Sequence, residues 1–165
     1  MYYTYLGSPL GDLLLAGDER GLALVHWHDT SPGADWERVP DAFPKAREQL
    51  TAYFEGTLRD FDLALAPRGS AFQRAVWAAL TEIPYGETST YGAIARQLGV
   101  PNGARAVGLA NGQNPLPIIV PCHRVIGSDG SLTGYGGGLP IKRFLLELEA
   151  SHSGLFALDP FSGGR

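Results

Sequence analysis

The chain is organised around one stretch, IIVPCHRVIG at residues 118–127, which holds the one cysteine among its 165 residues. Apolar, β-branched residues flank this cysteine on both sides, a composition typical of a strand or strand end in the protein core. Pro121 fixes its own backbone and favours an extended conformation at Val120. The sequence therefore predicts that Cys122 is held rigidly at the floor of a pocket, directly beside His123.

This local pattern leaves two interpretations of Cys122 open. A lone cysteine is usually a small core hydrophobe. The adjacent His123 favours a reactive thiolate instead, because a thiolate near neutral pH needs a neighbouring base or cation. One cysteine forms no internal disulfide and no multi-cysteine zinc site, which fits a reducing cytoplasm. The four histidines show no metal-ligand spacing beyond His26-x-His28, which alternation on a strand explains equally well, so no metal and no cofactor are expected.

The composition is that of an ordinary globular protein, with 44% apolar and 18% charged residues. No run reaches membrane-spanning length and the N-terminus lacks a signal pattern, so a cytoplasmic location is expected. The net charge of −4 argues weakly against nucleic-acid binding. Residues 1–69 carry 6 basic and 11 acidic groups, whereas residues 70–150 carry 6 basic and 5 acidic. A DNA-binding surface is therefore expected in the second half of the chain, with little dependence on bulk charge.

The first part of the chain predicts a small sheet and one helix. Residues 2–28 contain strand-like apolar runs with a hairpin turn at residues 17–21. Helical spacing of apolar residues predicts a helix over residues 41–55, and strict alternation predicts one more strand over residues 61–65. No chemical constellation is evident, so residues 1–69 are interpreted as a scaffold domain.

The second part of the chain, from Ser70 onwards, is predicted to be mainly helical. Ser70 and Gln73 form a capping box at the start of a helix. A short helix is predicted over residues 90–98, and after a tight turn Asn102 is placed to cap a third helix over residues 103–111. A helix, a short turn with glycine and a second helix are the pattern of a helix-turn-helix, although plain helical hairpins are commoner.

The third predicted helix is rich in small residues and carries Arg105 in its first turn. Small residues permit close packing against another helix, or entry into a narrow groove. The helix dipole disfavours a cation in the first turn by a few tenths of a kcal/mol. A phosphate or base partner would explain Arg105, although a surface arginine also tolerates this cost.

The end of the domain combines a glycine-rich loop at residues 133–138 with an amphipathic helix predicted over residues 139–150, with Glu149 at its end. The predicted fold class is α/β (α+β). A small N-terminal α/β domain contains a β-sheet, and a mostly helical C-terminal domain contains the helix-turn-helix and the cysteine. The predicted units are residues 1–69, residues 70–150 and a loosely held tail at residues 151–165.

Several ordered motifs together resemble one family, the O6-alkylguanine-DNA alkyltransferases. PCHRVI at residues 121–126 resembles the active-site signature of this family, and RAVG at residues 105–108 resembles its recognition helix. The other matching positions are Phe72-Gln73, Val76-Trp77, Ile83-Pro84, Gly86, Thr88, Tyr91, Asn114-Pro115, Tyr135, the glycine-rich loop and Lys142 to Glu149. The resemblance covers residues 70–150 continuously, whereas residues 1–69 fit the variable N-terminal domain of the family only in outline.

The resemblance implies a role for each matching residue. Cys122 would accept the alkyl group, His123 would act as a base through a water molecule, and Glu149 would orient His123. Tyr91 would share a proton with the departing guanine, and Arg105 would fill the space left by the flipped nucleotide. Other DNA contacts are expected from Thr90, Ala104, Ala106, Gly108 and Arg124. The substrate pocket is expected to contain Asn114, Val125, Tyr135 and Gly136.

The activity that the resemblance implies is direct-reversal DNA repair. A monomer would bind the minor groove of double-stranded DNA, flip O6-alkylguanine out of the duplex and transfer the alkyl group irreversibly to Cys122, once per molecule. O4-alkylthymine is an additional candidate lesion, and bound protein would be associated with the nucleoid.

Two alternatives stay open: a non-catalytic lesion sensor of the same fold, and a cysteine hydrolase. Cys122 argues against the sensors, which carry tryptophan there, and direct contact between adjacent Cys122 and His123 side chains would be awkward in a hydrolase.

Two departures from the family pattern stand in the sequence. Gly136 occupies a position where some relatives carry serine, so one hydroxyl contact to the base oxygen is missing. Some relatives bind zinc in the N-terminal domain, and this chain lacks the cysteines for such a site.

Overall fold

The structure is a computed structural model that describes residues 1–27, 30–135 and 137–157, with side chains described up to residue 153. The first part of the chain forms a four-stranded sheet of β1 (Tyr2–Leu6), β2 (Leu13–Asp18), β3 (Gly21–His26) and β4 (Glu37–Arg38). The order of the strands in the sheet is β3-β2-β1-β4. β4 is parallel to β1, and the other pairs are antiparallel. The predicted β-structure and hairpin turn are therefore present.

Helix α1 (Pro44–Phe54) follows the sheet and buries Ala46, Leu50 and Tyr53. The strand predicted over residues 61–65 is wrong, because this segment contributes a single isolated bridge between Leu22 and Leu65. Its leucines and Phe61 pack against the core, so their alternation reflects burial and not a ladder of backbone hydrogen bonds.

The second part begins with α2 (Ala71–Leu80), and the predicted capping box is confirmed. Gln73 N donates to Ser70 Oγ at 3.1 Å, and Ser70 N donates to Gln73 Oε1 at 2.8 Å. This exchange satisfies two backbone donors that an uncapped helix would leave unpaired.

Two further helices form the predicted helix-turn-helix pattern. They are α3 (Tyr91–Gln97), capped by Thr90, and α4 (Ala104–Gly112). The prediction that Asn102 caps the third helix is wrong, because the N-cap position is Gly103 and no side chain caps the helix there. The turn runs one residue longer than the sequence pattern suggests.

The segment that leads into the cysteine is not a strand, contrary to the prediction. Residues 117–120 form turns, Cys122–Arg124 form one turn of 3₁₀-helix, and only then does β6 (Val125–Ile126) pair in parallel with β5 (Ser89–Thr90). Prolines at 115, 117 and 121 lack the backbone N–H that a strand ladder requires. The apolar run is nevertheless buried, so here too apolar composition indicates burial and not a strand.

Helix α5 (Leu139–Ala157) is longer than predicted. Glu149 consequently lies inside the helix and not at its end, and residues 151–157, which were predicted to belong to the tail, continue this helix. Residues 158–165 lie outside the described part of the chain. None of the helices in the described ranges has the length and apolar composition needed to cross a bilayer.

One hydrophobic cluster joins the two parts of the chain. It contains Leu13 and Leu15 from β2, Tyr53 from α1, Val76 and Leu80 from α2, and Leu145 from α5. Since Cys122 belongs to the same cluster, the packing that stabilises the fold also fixes the backbone around the thiol.

Candidate active site

Cys122 is the first residue of the 3₁₀ turn, and 5% of its surface is exposed. It lines a cavity of about 60 Å³ together with Trp27, Asn111, Asn114 and Tyr135. Cys122 therefore lines a pocket, as predicted, although a turn and not a strand carries it.

Asn114 braces the turn between α4 and the cysteine. Its Nδ2 donates to Val120 O at 2.8 Å, and its Oδ1 accepts from Leu116 N at 2.9 Å. Two bonds from one amide hold the residues before Cys122 in a fixed conformation.

Glu149 is the centre of a buried hydrogen-bond network. Its Oε2 lies 2.6 Å from His123 Nε2, 2.6 Å from Tyr53 Oη and 3.0 Å from Arg124 Nη2. Its Oε1 accepts from Arg124 Nε at 2.8 Å and from Gly86 N at 3.1 Å. Five donors saturate the carboxylate, so its charge is stabilised although only 1% of the residue is exposed.

The protonation state of Glu149 follows from this network. Burial by itself would raise its pKa, but the hydrogen bonds that it accepts from His123 and Arg124 and the positive charge of Arg124 lower the pKa to about 2. Burial lowers the pKa of His123, against the opposing effect of Glu149. The pair is therefore best described as an ionised carboxylate and a neutral imidazole.

The tautomer of His123 is fixed by its partner. A carboxylate only accepts hydrogen bonds, so Nε2 of His123 carries the proton that it shares with Glu149. Nδ1 is then the basic nitrogen, and it is buried without a hydrogen-bond partner among the described residues. An oriented base with a free lone pair is what activation of a thiol requires.

The thiol itself experiences opposing influences. Burial raises the pKa of Cys122, whereas hydrogen bonding by Asn114 and Tyr135 and the positive charge of Lys142 lower it. Lys142 is fully buried, and its Nζ donates to Val125 O at 2.6 Å and to Thr133 O at 3.1 Å. A cation in the interior near a thiol favours the charged thiolate.

The glycine-rich segment closes the pocket from the other side. Tyr91 Oη and Thr133 Oγ1 are 2.6 Å apart, which joins the start of α3 to this segment. The rings of Tyr135 and Trp27 pack with centroids 6.1 Å apart, and a Cβ at Gly137 would lie within 2.9 Å of the Trp27 indole. Glycine is therefore required at 137 for the loop to approach the tryptophan so closely.

Four of the residues expected to contact DNA lie in the first half of α4. Ala104, Arg105 and Ala106 are exposed at the start of α4, and Gly108 is half-buried against the ring of Tyr91. Thr90 is half-buried, and its Oγ1 accepts from Ala93 N at 3.1 Å as the N-cap of α3. The small residues thus leave the N-terminal part of α4 open to an approaching surface.

Arg124 does not lie where the resemblance predicts it. It was expected at the DNA surface, but it is 5% exposed, contacts Glu149 through two nitrogens and donates to Ile83 O at 2.6 Å. Its guanidinium also lies 5.6 Å from the ring centre of Tyr85. Since its position is set by an internal ion pair, Arg124 belongs to the Glu149 network and not to the DNA surface.

Of the other residues expected in the pocket, Val125 is fully buried, does not line the cavity and contributes its carbonyl to Lys142. Gly136 lies outside the described residues. Three further residues were missed by sequence reasoning: Tyr53, Trp27 and Asn111. The first two come from the part of the chain interpreted as a scaffold, and their apolar character signals core packing. No local pattern in the sequence predicts that these three residues lie near Cys122 or Glu149.

No group of three histidine, cysteine, aspartate or glutamate side chains within the described ranges could hold a metal ion.

Two family models match the chain. The model described as "6-O-methylguanine DNA methyltransferase, DNA binding domain" matches residues 71–151, and that described as "6-O-methylguanine DNA methyltransferase, ribonuclease-like domain" matches residues 1–67. Together they span most of the chain and its entire described site.

Similarity to known proteins indicates the same family. The methylated-DNA–protein-cysteine methyltransferase of Methanosarcina acetivorans is 55% identical over 155 residues, which cover 92% of this chain and 99% of the relative. That of Mycolicibacterium paratuberculosis is 55% identical and covers 92% and 93%. The crystal structure of Mycobacterium tuberculosis OGT in complex with DNA has a TM-score of 0.89 at 54% identity, with 92% of this chain and 94% of that one covered. This chain therefore belongs to the family of the methylated-DNA–protein-cysteine methyltransferases.

Proposed function

We propose that this chain repairs alkylated DNA by moving the alkyl group of O6-alkylguanine onto Cys122, once per molecule. The enzyme class follows from family membership, and the substrate and the single turnover are the proposal. The observation that carries it is the arrangement of Cys122 in a pocket beside His123, whose Nε2 lies 2.6 Å from Glu149. Nucleophile, base and orienting carboxylate are the parts that a covalent transfer needs.

The proposed reaction begins with ionisation of the thiol. His123 Nδ1 takes the proton of Cys122 through a bridging water, and Glu149 stabilises the resulting imidazolium. The thiolate attacks the alkyl carbon in line, a C–S bond forms, and the C–O bond to guanine breaks. Guanine leaves with the bonding electron pair and takes up a proton, which Tyr91 would supply. The product is a thioether that no group in the site can cleave, so the enzyme stops after one event.

The proposed substrate complex requires that the base leaves the duplex, because the reacting oxygen lies inside the stacked helix. The exposed start of α4 supports entry into the minor groove, since its small residues allow a close approach to the DNA. Arg105 would then occupy the place of the flipped nucleotide. The complex of the M. tuberculosis relative with DNA supports DNA as the partner. Action as a monomer, a cytoplasmic location and acceptance of O4-alkylthymine belong to the same proposal.

Mass spectrometry of the intact protein tests this proposal. After incubation with excess duplex containing O6-methylguanine, we expect a gain of one methyl group on Cys122 and no further product beyond one equivalent. Cys122→Ser should gain no methyl group but should still bind the duplex, because a serine hydroxyl is a far weaker nucleophile at neutral pH. Release of more than one equivalent of repaired DNA per protein would contradict the proposal and favour a hydrolase. Binding without any methyl gain would favour a lesion sensor.

A further inference from the structure

The hydroxyl of Thr133 is a polar group to which the proposed mechanism assigns no role. Its Oγ1 lies 2.6 Å from Oη of Tyr91, and both residues are half-buried. Gly134 and Tyr135, the next two residues of the glycine-rich loop, line the same cavity as Cys122. The contact therefore holds the Tyr91 hydroxyl beside the part of the loop that forms a wall of the pocket.

Both hydroxyls are fixed by contacts of the surrounding backbone. The backbone oxygen of Thr133 accepts a hydrogen bond of 3.1 Å from Nζ of Lys142, which is fully buried. The same Nζ donates to the backbone oxygen of Val125 in β6 at 2.6 Å. Strand β6 pairs with β5, and Tyr91 follows β5 directly in the chain. The Tyr91 and Thr133 side chains are therefore preorganised for each other from both sides.

The direction of this hydrogen bond follows from the proton that Tyr91 gives up in the proposed reaction. A phenol has one hydrogen to donate, whereas a threonine hydroxyl can donate or accept. When the hydrogen of Tyr91 points to the departing guanine, its Oη can only accept from Thr133. Negative charge develops on Oη as the proton leaves, and a hydrogen bond to a charged acceptor is stronger than one to a neutral acceptor. The contact therefore strengthens during the transfer, which is the condition for a contribution to the rate.

We propose that Thr133 is a positioning residue of the alkyl transfer, whose hydroxyl donates to Tyr91 Oη and directs the Tyr91 proton to the departing base. In this step the C–S bond forms and the C–O bond breaks, while the O–H bond of Tyr91 breaks and an N–H bond of guanine forms. Thr133 keeps its own hydrogen and stabilises the charge left on the phenol oxygen. The inference rests on the proposed function and adds to it a residue that acts through the proton donor.

The test compares two methyl donors. Methyl transfer to Cys122 is measured in a single turnover, with protein in saturating excess over a duplex that contains O6-methylguanine, and separately with methyl iodide, whose leaving group needs no proton. We expect Thr133→Val, which replaces the hydroxyl with a methyl group of similar size, to slow transfer from the duplex about tenfold, equivalent to about 1.4 kcal/mol. The rate with methyl iodide should not change, because the thiol and its base are intact.

Further variants separate the hydroxyl from the shape of the loop. Thr133→Ser keeps the hydroxyl and should transfer at the rate of the wild type. Thr51→Val removes the hydroxyl of an exposed threonine in α1 that donates to Arg47 O, and should affect neither donor. In a Tyr91→Phe background, Thr133→Val should cause no further loss, because the group through which Thr133 acts is absent. Thr133→Ala replaces the valine variant if that variant does not fold.

The outcomes separate the inference from the proposed function. An equal loss of rate with both methyl donors, or an equal loss in Thr133→Ser and Thr133→Val, would overturn the inference and leave Thr133 as a support of the loop. An unchanged rate with the duplex in Thr133→Val, or an added loss in the Tyr91→Phe background, would overturn it as well. A wild type that reacts with methyl iodide but takes no methyl group from the duplex would overturn the proposed function, and the inference with it.

Discussion

Tyr53 and Glu149 lie 96 residues apart in the sequence, yet the Tyr53 hydroxyl donates a hydrogen bond of 2.6 Å to Oε2 of Glu149. The same oxygen lies 2.6 Å from His123 Nε2. Helix α1 thus takes part in holding the carboxylate that orients the base. Burial, followed by the charge of Glu149, raises the pKa of Tyr53 far above its ordinary value, so the hydroxyl is a permanent donor.

Removal of this hydroxyl should weaken the fold. We expect Tyr53→Phe to lower the free energy of unfolding by about 1.5–3 kcal/mol, the usual range for a hydrogen bond to a charged group. Urea denaturation measures the change. Tyr5→Phe, which removes a hydroxyl from β1 and not from the Glu149 network, is the matched control. If both substitutions lower the free energy of unfolding by the same amount, the hydrogen bond to Glu149 contributes no more to stability than the hydroxyl of Tyr5.

Glu149 should make stability depend on pH in the acid range. Its folded pKa of about 2 lies below the ordinary 4.5, so the ionised form is bound more tightly in the folded protein. This contribution, on the order of 3 kcal/mol, is fully present above about pH 4.5 and is lost as the pH falls towards 2. The difference in unfolding free energy between wild type and Glu149→Gln should therefore shrink over that range. Glu147→Gln, an exposed change on the same helix, should show no such trend.

The same variant should also affect alkylation. Without the carboxylate, His123 is a weaker base and the imidazolium that it forms is less stable, so we expect Glu149→Gln to slow methyl transfer and to raise the apparent pKa of Cys122. Rates of transfer as a function of pH measure both effects. An unchanged rate in a folded variant would show that Glu149 acts on the fold alone.

Lys142 should influence the thiol through its charge. The chain has two lysines, and they provide a matched pair: Lys142 is fully buried, whereas Lys45 is exposed and paired with Asp62 at 3.3 Å. We expect Lys142→Met to raise the pKa of Cys122, because the nearby positive charge favours the thiolate. Ultraviolet titration of the thiolate measures this pKa. If Lys45→Met raises the pKa of Cys122 by the same amount, the effect does not depend on the proximity of Lys142 to the thiol.

Arg105 should matter for duplex DNA and not for the chemistry. It is exposed at the start of α4, and an arginine that enters the base stack would offset part of the cost of flipping. We expect Arg105→Ala to slow repair of a duplex by one to three orders of magnitude if about 1.4–4 kcal/mol of stabilisation is lost. Reaction with free O6-alkylguanine base should change far less.

The measurement for Arg105 is the ratio of the two rate constants in wild type and variant. Arg20→Ala controls for a general loss of positive charge, since Arg20 lies in the β2–β3 hairpin and is paired with Asp18 at 3.0 Å. If Arg105→Ala slows both reactions by the same factor, the residue supports the fold or the chemistry and does not replace the flipped base.

The sequence by itself determined those features that depend on neighbours in the chain. The Ser70–Gln73 capping box, the Thr90 to Gln97 region of α3 and the start of α5 follow from short-range hydrogen bonds and apolar spacing, and they are where the sequence predicts them. The family resemblance likewise rests on short motifs in fixed order. Such features can be read locally because the groups that stabilise them are a few residues apart.

Only the tertiary structure decided how the apolar runs are used and what surrounds Glu149. Residues 118–121 are buried and Phe61, Leu63 and Leu65 are partly buried against the core, and the backbones of both segments find partners outside a strand ladder. Arg124 is turned inwards because Glu149, 25 residues away, offers its charge a partner in the interior. Tyr53, Trp27 and Asn111 reach the site because the sheet and helices share one core. Burial and long-range ion pairing depend on which distant surfaces meet, and one sequence carries no local signal for that.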